Sequence, residues 1–447
     1  MTLHLSDLRA CFEGVIPSII ATSSGDGRPN ISYLSHVIMI DSDHVALSNQ
    51  FFAKTAHNIR ANPYANLLLV DARNGGQFRL DIVFSHPLED GVFFDRVATQ
   101  LQASSEQVGM GGIMKLKGLD VFRVLSIASV PSPVVLQKEA VEEPSRKLIA
   151  LSRLVDRIAI QNDVGGAIDV VLSGLESEFG YTNTLFMLHD EARRLLATVG
   201  SRGYERSGVG SEAAVGEGII GAAAVKRRLV KVSDMSRVRR YGAAIRTSSV
   251  DEERTRAIVL PGMRGAMSQM AVPVMAQDVL LGVLFAESRQ RLAFSEEDEA
   301  VMTVVARQAA ATLALCERLA SETQKVAKAD KAPAHLQSSF RVVHHAYDDS
   351  VFIDNAYVIK GVAGRMLMMM LSLWLREGRT EFTNREIRLS DSLRLPEIKD
   401  NLETRLLLLR RRLEEKGTPV RLVRAGRGLI RLELDGVPRL DTVGLPV

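Results

Sequence analysis

VGEGIIGAAAVKRRLVKVSDM (215–235) and SQMAVPVMAQDVLLGVLFAESRQRLAFSEEDEAVMTVVARQAA (268–310) are the stretches on which the reading of this chain turns. The first contains Gly216-Glu-Gly-Ile-Ile-Gly221, a G-x-G-x-x-G match. As a dinucleotide fingerprint it fails, because no strand-turn-helix unit surrounds it, and no G-K-[ST] follows to make a phosphate loop. In the second stretch Ser295 stands as a helix N-cap with Asp298 three residues on. From there Met302, Val305, Ala309, Thr312, Cys316, Leu319, Thr323 and Val326 keep a three-four spacing. Such a seam suits either a dimerising helix or a helix packed on its own sheet. An earlier helix is marked by Leu148, Leu151, Val155 and Ile158, which share one face.

These helices bound the middle of a 447-residue chain, long enough for about three domains. With 46% hydrophobic and 24% charged residues, a largely disordered or fibrous protein is excluded. No run of 18 residues lacks a charge, so no ordinary membrane-spanning helix is expected. The opening residues lack the basic flank and apolar run of a secretory leader. Cys11 and Cys316 are too few for a disulfide framework or a zinc site, and the expected location is cytoplasmic. Proline and acidic residues from Pro131 to Pro144, and the polar run Lys325–Ser339, read as connectors. They divide the chain into domains at 1–135, 146–322 and 340–440, with 323–339 as a linker.

The first segment alternates short β-rich runs with turn signals. Val15–Ser23, Asn30–Ile40, Val45–Ser48, Tyr64–Asp71, Phe78–Phe84 and Asp120–Ala128 read as strands, with Ser24-Gly-Asp-Gly27 as a hairpin turn. A single short helix, Lys54–Ala61, stops before Pro63. Many antiparallel strands with little helix suggest a small barrel. ALSNQFFAKTAHNIRANPYANLLLVD (46–71) and IIATSSGDGRPNISYLSHVIMID (19–41) resemble the flavin-binding split barrel of the pyridoxamine phosphate oxidase family over about 1–130. The resemblance implies FMN, or a related flavin, between two subunits, with basic residues near this helix on its phosphate. By match Lys54 is the phosphate candidate, with Ser48 and Thr55 as neighbouring donors. A lysine and hydroxyls at a helix N-terminus form a reasonable anion site. The same residues also serve merely to start and solubilise a helix. The oxidase's further phosphate contacts and its substrate motif are not evident.

The two stretches quoted at the outset resemble a GAF domain over about 148–320. That implies a small-molecule sensor and dimerisation module, with Gly218 and Gly221 shaping a turn into a helix and Val279–Glu287 as a central strand. Tyr181, Phe186, Met270 and Phe285 are candidates for its ligand pocket; at strand positions they also read as core. His189 is a metal or haem candidate without the partner ligands a site needs. The arginine-rich insertion Arg237–Arg264 reads as a lid or a solvated loop.

Charge is unevenly placed. Residues 340–440 hold 19 Lys and Arg against 14 Asp and Glu, a surplus of five, which leaves −2 for the rest of a chain whose total is +3. Here Gly361–Arg376 reads as an apolar helix ended by Gly378, Thr383-Asn-Arg-Glu386 as a capping box opening a second, and Pro396 as the first turn of a third running to Glu415. Val420–Arg424 and Leu429–Leu434 then form a hairpin. VFIDNAYVIKGVAGRMLMMMLSLWL (351–375) and LETRLLLLRRRLEEKGTPVRLVRAGRGLIRLEL (402–434) resemble the winged-helix output domain of response-regulator-type transcription factors over about 340–436. Four successive leucines, Leu406–Leu409, depart from that pattern and suggest a wider buried face or a partner contact. A recognition helix needs cations for phosphates and forked donors or amides for base edges. Asn401, Thr404 and Arg405 are the base-edge candidates, and Lys399, Arg411, Arg412, Arg424 and Arg427 the backbone candidates. Arg410 is expected to pair internally with Glu403 or Glu414, and an arginine-rich helix also reads simply as a solvated face.

The expected fold is therefore multidomain α+β: a split β-barrel, a GAF α/β/α sensor fold and a winged helix-turn-helix. The expected function is a cytoplasmic one-component transcriptional regulator, a homodimer whose partners are double-stranded DNA and a small-molecule ligand, with no membrane. The alternatives are a flavin-dependent oxidoreductase with regulatory domains and a non-catalytic cofactor-binding or interaction protein. No catalytic or metal-spaced constellation is evident.

Overall fold

The computed structural model describes residues 3–34, 36–49, 53–107, 116–131, 144–191, 193–235, 258, 260–322, 338–390, 393, 402–426 and 428–444. Most of both connectors and of the arginine-rich insertion lie outside them.

In the first domain a 3-10 helix, Leu5–Glu13, precedes an antiparallel sheet of β1 (Ser18–Ser23), β2 (Pro29–Leu34), β3 (Val37–Met39), β4 (His44–Asn49), β5 (Tyr64–Val70), β6 (Gln77–Leu88) and β7 (Gly118–Val130). Their order is β2-β1-β5-β6-β7-β4-β3. Burial alternates along β1, where Ser18, Ile20 and Thr22 face inward, as a half-buried strand requires. The single return strand expected over 30–40 is two strands. β2 pairs with β1 at one edge and β3 pairs with β4 at the other, so this stretch crosses between the two edges of the sheet. The expectation of one helix also falls short. Besides α1 (Ala53–Ala61) there is α2 (Gly91–Gln107), which buries Val97 and Leu101. Val97 joins Ala46, Leu119 and Val121 in a core of its own domain, and the helix also packs on α5 and β11 of the next.

The middle domain runs α3 (Pro144–Ala159), α4 (Val164–Phe179), β8 (Asn183–Asp190), β9 (Leu195–Arg202), β10 (Glu212–Ala214), α5 (Gly218–Lys226), β11 (Val230–Val232), β12 (Ser268–Ala276), β13 (Val279–Ser288) and α6 (Glu296–Glu322). Its sheet order is β10-β9-β8-β13-β12-β11. Both faces are covered. Phe186, Leu188 and Leu284 share one core with α3, α4 and α6, whereas Leu185, Met187, Val283 and Phe285 share another with α5. Glycines permit the close contacts. A Cβ on Gly282 would lie 2.0 Å from the Met187 carbonyl oxygen, and one on Gly221 2.4 Å from that of Ala214. Within the G-x-G-x-x-G match Gly221 thus serves packing, while Gly216 and Gly218 take positive φ in the turn into α5.

The three-four seam of α6 is used inside the chain. Met302, Val305, Ala309 and Cys316 are buried in the core shared with α3 and α4, and the Cys316 thiol donates to the Gln161 carbonyl at 3.7 Å. Thr323 and Val326 lie outside the described residues. The stretch Glu296–Leu319 has the length and apolarity to cross a membrane, and half of its window is buried in this domain.

The last domain comprises β14 (Ser339–His345), β15 (Ser350–Ile353), β16 (Ala356–Ile359), α7 (Val362–Glu377), β17 (Glu381–Thr383), α8 (Asn384–Arg388), α9 (Leu402–Glu415), β18 (Val420–Gly426), β19 (Leu429–Leu434) and β20 (Val437–Val443). Two sheets, β16-β15-β14-β20 and β17-β19-β18, enclose a core of Met366, Leu367, Phe382, Leu406 and Leu409. Gly378, left-handed at φ 66, ends α7, and Thr383 with Glu386 forms the reciprocal capping box of α8.

A lysine joins the first two domains. Lys231, in the apolar strand β11, is 6% exposed. Its ammonium lies 2.8 Å from Glu13 of the first domain and 2.7 Å from Glu299 of α6, and donates to the Phe294 carbonyl at 3.0 Å. Ser233 donates to the same Glu13 carboxylate at 2.8 Å, and Arg228 to Thr99 of α2 at 2.7 Å. Removing one partner of a buried ion pair costs about 3–5 kcal/mol. Lys231→Met, which leaves two carboxylates facing each other, should lower stability by about that amount. Denaturant unfolding measures it, and hydrogen exchange should show the first domain loosening.

Candidate functional site

Three sets of residues carry the functional expectations, one in each domain. The first lies at the start of α1. Ser48 and Thr55 are buried, and their hydroxyls are engaged within the fold. Ser48 Oγ accepts from the His36 amide at 3.3 Å. Thr55 Oγ1 accepts from Asn30 Nδ2 at 3.1 Å and lies 2.9 Å from Ser32 Oγ. One turn on, Asn58 donates to Thr22 at 3.2 Å. Thr55 and Asn58 thereby pin α1 to the β1–β2 hairpin, while Ser48 ties β4 to the backbone at His36. Lys54, in contrast, is exposed. Its charge contributes, after the Ser24 hydroxyl, to holding the Asp26 carboxyl below its ordinary value. Of the three expected cofactor residues, Lys54 alone is exposed.

In the middle domain the four expected pocket residues fall on opposite faces of one sheet. Phe186 and Met270 lie with Tyr181 in the core under α3, α4 and α6, whereas Phe285 belongs to the face covered by α5. The period of two along a strand is the reason: Leu185 pairs with Phe285 and Phe186 with Leu284. Tyr181 donates to Asp298 at 2.6 Å, and Asp298 completes the cap of α6 by accepting from the Ser295 amide at 2.8 Å. Tyr181 is therefore structural. The α5 face has a polar group that sequence reasoning passed over. Glu287, 4% exposed, accepts from the Met263 amide at 2.7 Å and from Gln269 at 2.9 Å. Burial, then the Glu287 charge, pushes the Tyr204 hydroxyl far above its ordinary range. His189 lines a cleft of about 1330 Å³ between the middle and last domains, with Arg193, Tyr357, Lys360, Arg405 and Arg412.

In the last domain four of the expected DNA contacts, Arg405, Arg411, Arg412 and Arg424, are engaged with the middle domain. Arg411 bonds the Val199 carbonyl, the Gly165 carbonyl at 3.3 Å and Asp169 at 2.6 Å. Burial lowers its basicity, opposed by Asp169. Arg412, 1% exposed, donates to the carbonyls of Val358 at 3.0 Å and Val209 at 3.3 Å and pairs with Glu415. Arg424 donates to the Asn162 carbonyl at 3.1 Å and lies 3.3 Å from Asp163. Arg405 lies 3.8 Å from Asp190, beside Thr404 in the cleft wall. Arg410 pairs with Glu414 at 3.8 Å. Lys399, Asn401 and Arg427 lie outside the described residues. The sequence does mark one of the missed acceptors: Asp163, ahead of Val164-Gly-Gly, is an N-cap, and it accepts from the Gly165 amide at 2.9 Å.

Residues 6–108 match the pyridoxamine 5'-phosphate oxidase family, and residues 161–314 match the GAF domain family. The chain carries an oxidase-like domain followed by a GAF domain. Among solved structures it is similar to the GAF domain of an Acinetobacter phosphoenolpyruvate-protein phosphotransferase, at 21% identity over 40% of this chain and 98% of that one (TM-score 0.33). It is similar to an FMN-binding protein from Syntrophomonas wolfei, at 21% identity over 28% and 86% (TM-score 0.25). A third is free methionine-R-sulfoxide reductase from Neisseria meningitidis, at 18% identity over 41% and 97% (TM-score 0.32). No curated protein matches the chain.

The GAF domain's capped helix has a pH signature. Burial alone would raise the Asp298 carboxyl, but hydrogen bonds from Tyr181, Ser295 and Lys147 overcome it and hold it below its ordinary value. A depressed carboxyl stabilises the fold above its unfolded pKa of about 3.9, and that contribution is lost as pH falls through the folded value. Asp298→Asn should lower neutral-pH stability by about 1–3 kcal/mol. It should also flatten the acid limb of a melting-temperature profile, leaving the variant and the parent closest at the lowest pH.

Proposed function

We propose that the chain is a cytoplasmic, homodimeric one-component transcriptional regulator. The oxidase-like and GAF domains sense a small molecule or redox state, and the last domain, a winged-helix-type module, binds double-stranded DNA. The observation that carries this reading is the arrangement of the last domain. Helices α7, α8 and α9 are followed by the β18–β19 hairpin, which pairs back on β17, and arginines lie on α9 and the hairpin. The surplus of five positive charges in this segment supports it, since phosphate neutralisation supplies most of non-specific DNA affinity.

For the sensor part, a flavin or related phosphorylated cofactor would bring redox chemistry, with Lys54 holding its phosphate. The chain's own contribution there is a positive charge at a helix N-terminus, held in place by the Asn30, Ser32 and Thr55 cluster. Purified protein should carry or take up FMN, seen as a yellow absorbance band. Lys54→Ala should weaken FMN binding about tenfold or more, because a hydrogen bond to a charged group is worth about 1.5–3 kcal/mol. Unchanged FMN affinity would remove Lys54 from the site.

The DNA arm is tested by selecting duplexes from a random pool with the full-length protein at low salt. A shared motif of two half-sites spaced by about one helical turn is the expected outcome for a dimer. Absence of any enrichment, both for this chain and for the opened variants described next, overturns the DNA-binding reading.

A further inference from the structure

Helix α9 and the hairpin after it are the parts of the last domain that a duplex would meet, and both lie against one surface of the GAF domain. Leu407 sits in the core formed by α3, α4 and α6, although it belongs to the last domain. Around it Arg411 and Arg424 reach the N-terminal end of α4, bonding the oxygens of Asn162, Asp163, Gly165 and Asp169. Arg411 and Arg412 also bond carbonyls at Val199 and Val209, along and just beyond β9. Arg405 faces Asp190 at the end of β8.

The acceptors are carboxylates and backbone carbonyls presented to guanidinium forks. That is the chemistry by which a guanidinium meets phosphate oxygens. One guanidinium cannot satisfy both sets at once. We propose that the GAF domain holds the last domain closed by offering its own oxygens to the arginines that would otherwise contact DNA phosphates. This rests on the DNA-binding reading above. DNA then binds only the open fraction of the protein, so the apparent affinity falls in proportion to that fraction. A ligand that changes the GAF surface at α4 or β9 changes DNA affinity without touching the DNA-binding face.

The test alters the GAF side and leaves every arginine in place. A Cβ at Gly165 would lie 2.9 Å from Leu407 Cδ1 and 2.6 Å from an Arg410 guanidinium nitrogen, so Gly165→Val must displace both side-chain ends in the closed state and weakens that contact. Asp169→Arg sets a cation against Arg411 at a side chain that is 62% exposed, where the fold tolerates it. Opening is read by hydrogen exchange over 402–413, and DNA binding by titration of a low-salt duplex. The inference expects faster exchange in α9 and an apparent DNA affinity raised tenfold or more in both variants. If exchange rises and affinity equals that of the parent, which itself binds DNA, the closed contact does not compete with DNA and the inference fails while the DNA reading stands. If exchange rises and neither parent nor variant binds any duplex, the DNA reading fails and the inference with it. If α9 exchanges as fast in the parent as in the variants, no closed state exists in solution and the inference is overturned. Should Gly165→Val not fold, Asp169→Arg alone decides between these outcomes.

Discussion

A lysine ammonium removed from water must be surrounded by oxygen, and the arrangement of the first two domains follows from how Lys231 meets that demand. Its partners come from the 3-10 helix of the first domain, from α6 and from the loop before α6. No single domain supplies them all. The pair of surfaces is thereby held in one register, which is the better-attested role of a buried charge. The junction between the GAF and last domains uses the same kinds of group under different exposure. Asp169 is 62% exposed, and Asp163 and Asp190 are about a quarter exposed. Solvent-exposed pairs contribute about 0–1 kcal/mol each, but here the arginines are only 12–25% exposed. Leu407 contributes about 1.5–3 kcal/mol by burial.

The four successive leucines of α9 follow from this double duty. Consecutive helical residues point about 100° apart, so a run of four addresses nearly the whole circumference. Leu406 and Leu409 enter the core of their own domain, and Leu407 enters that of the GAF domain. An isolated helix of the last domain would carry a polar residue at 407. The leucine there belongs to a contact that spans domains.

What could be read from the sequence was what is local. The Thr383–Glu386 box, the Ser295–Asp298 cap, the stop at Gly378 and the β18–β19 hairpin are each written in fewer than twenty residues, and each is present. Non-local features were not legible. Besides its own domain's core, α2 packs on α5 and β11, more than a hundred residues on. The strand candidates for a ligand pocket were chosen by residue type, and type does not say which face of a sheet a residue occupies. Shifting by one position moves a side chain across the sheet, as Phe186 and Leu185 do. Lys231 was available as a signal, a charge between two valines in a short apolar strand, but its carboxylate partners lie 218 and 68 positions away.

The charge division follows the same logic. A basic last domain and a slightly acidic remainder were expected to locate DNA binding, since cations gather where phosphates are met. The structure spends part of that basic surplus on acidic and carbonyl oxygens of its own GAF domain. Complementarity to DNA and complementarity to an intramolecular partner demand the same residues, so composition cannot separate them. On the proposed DNA-binding reading the two demands fall on the same guanidinium groups, Arg411 and Arg424 among them, and the contact with the GAF domain sets how much of the protein a duplex can reach.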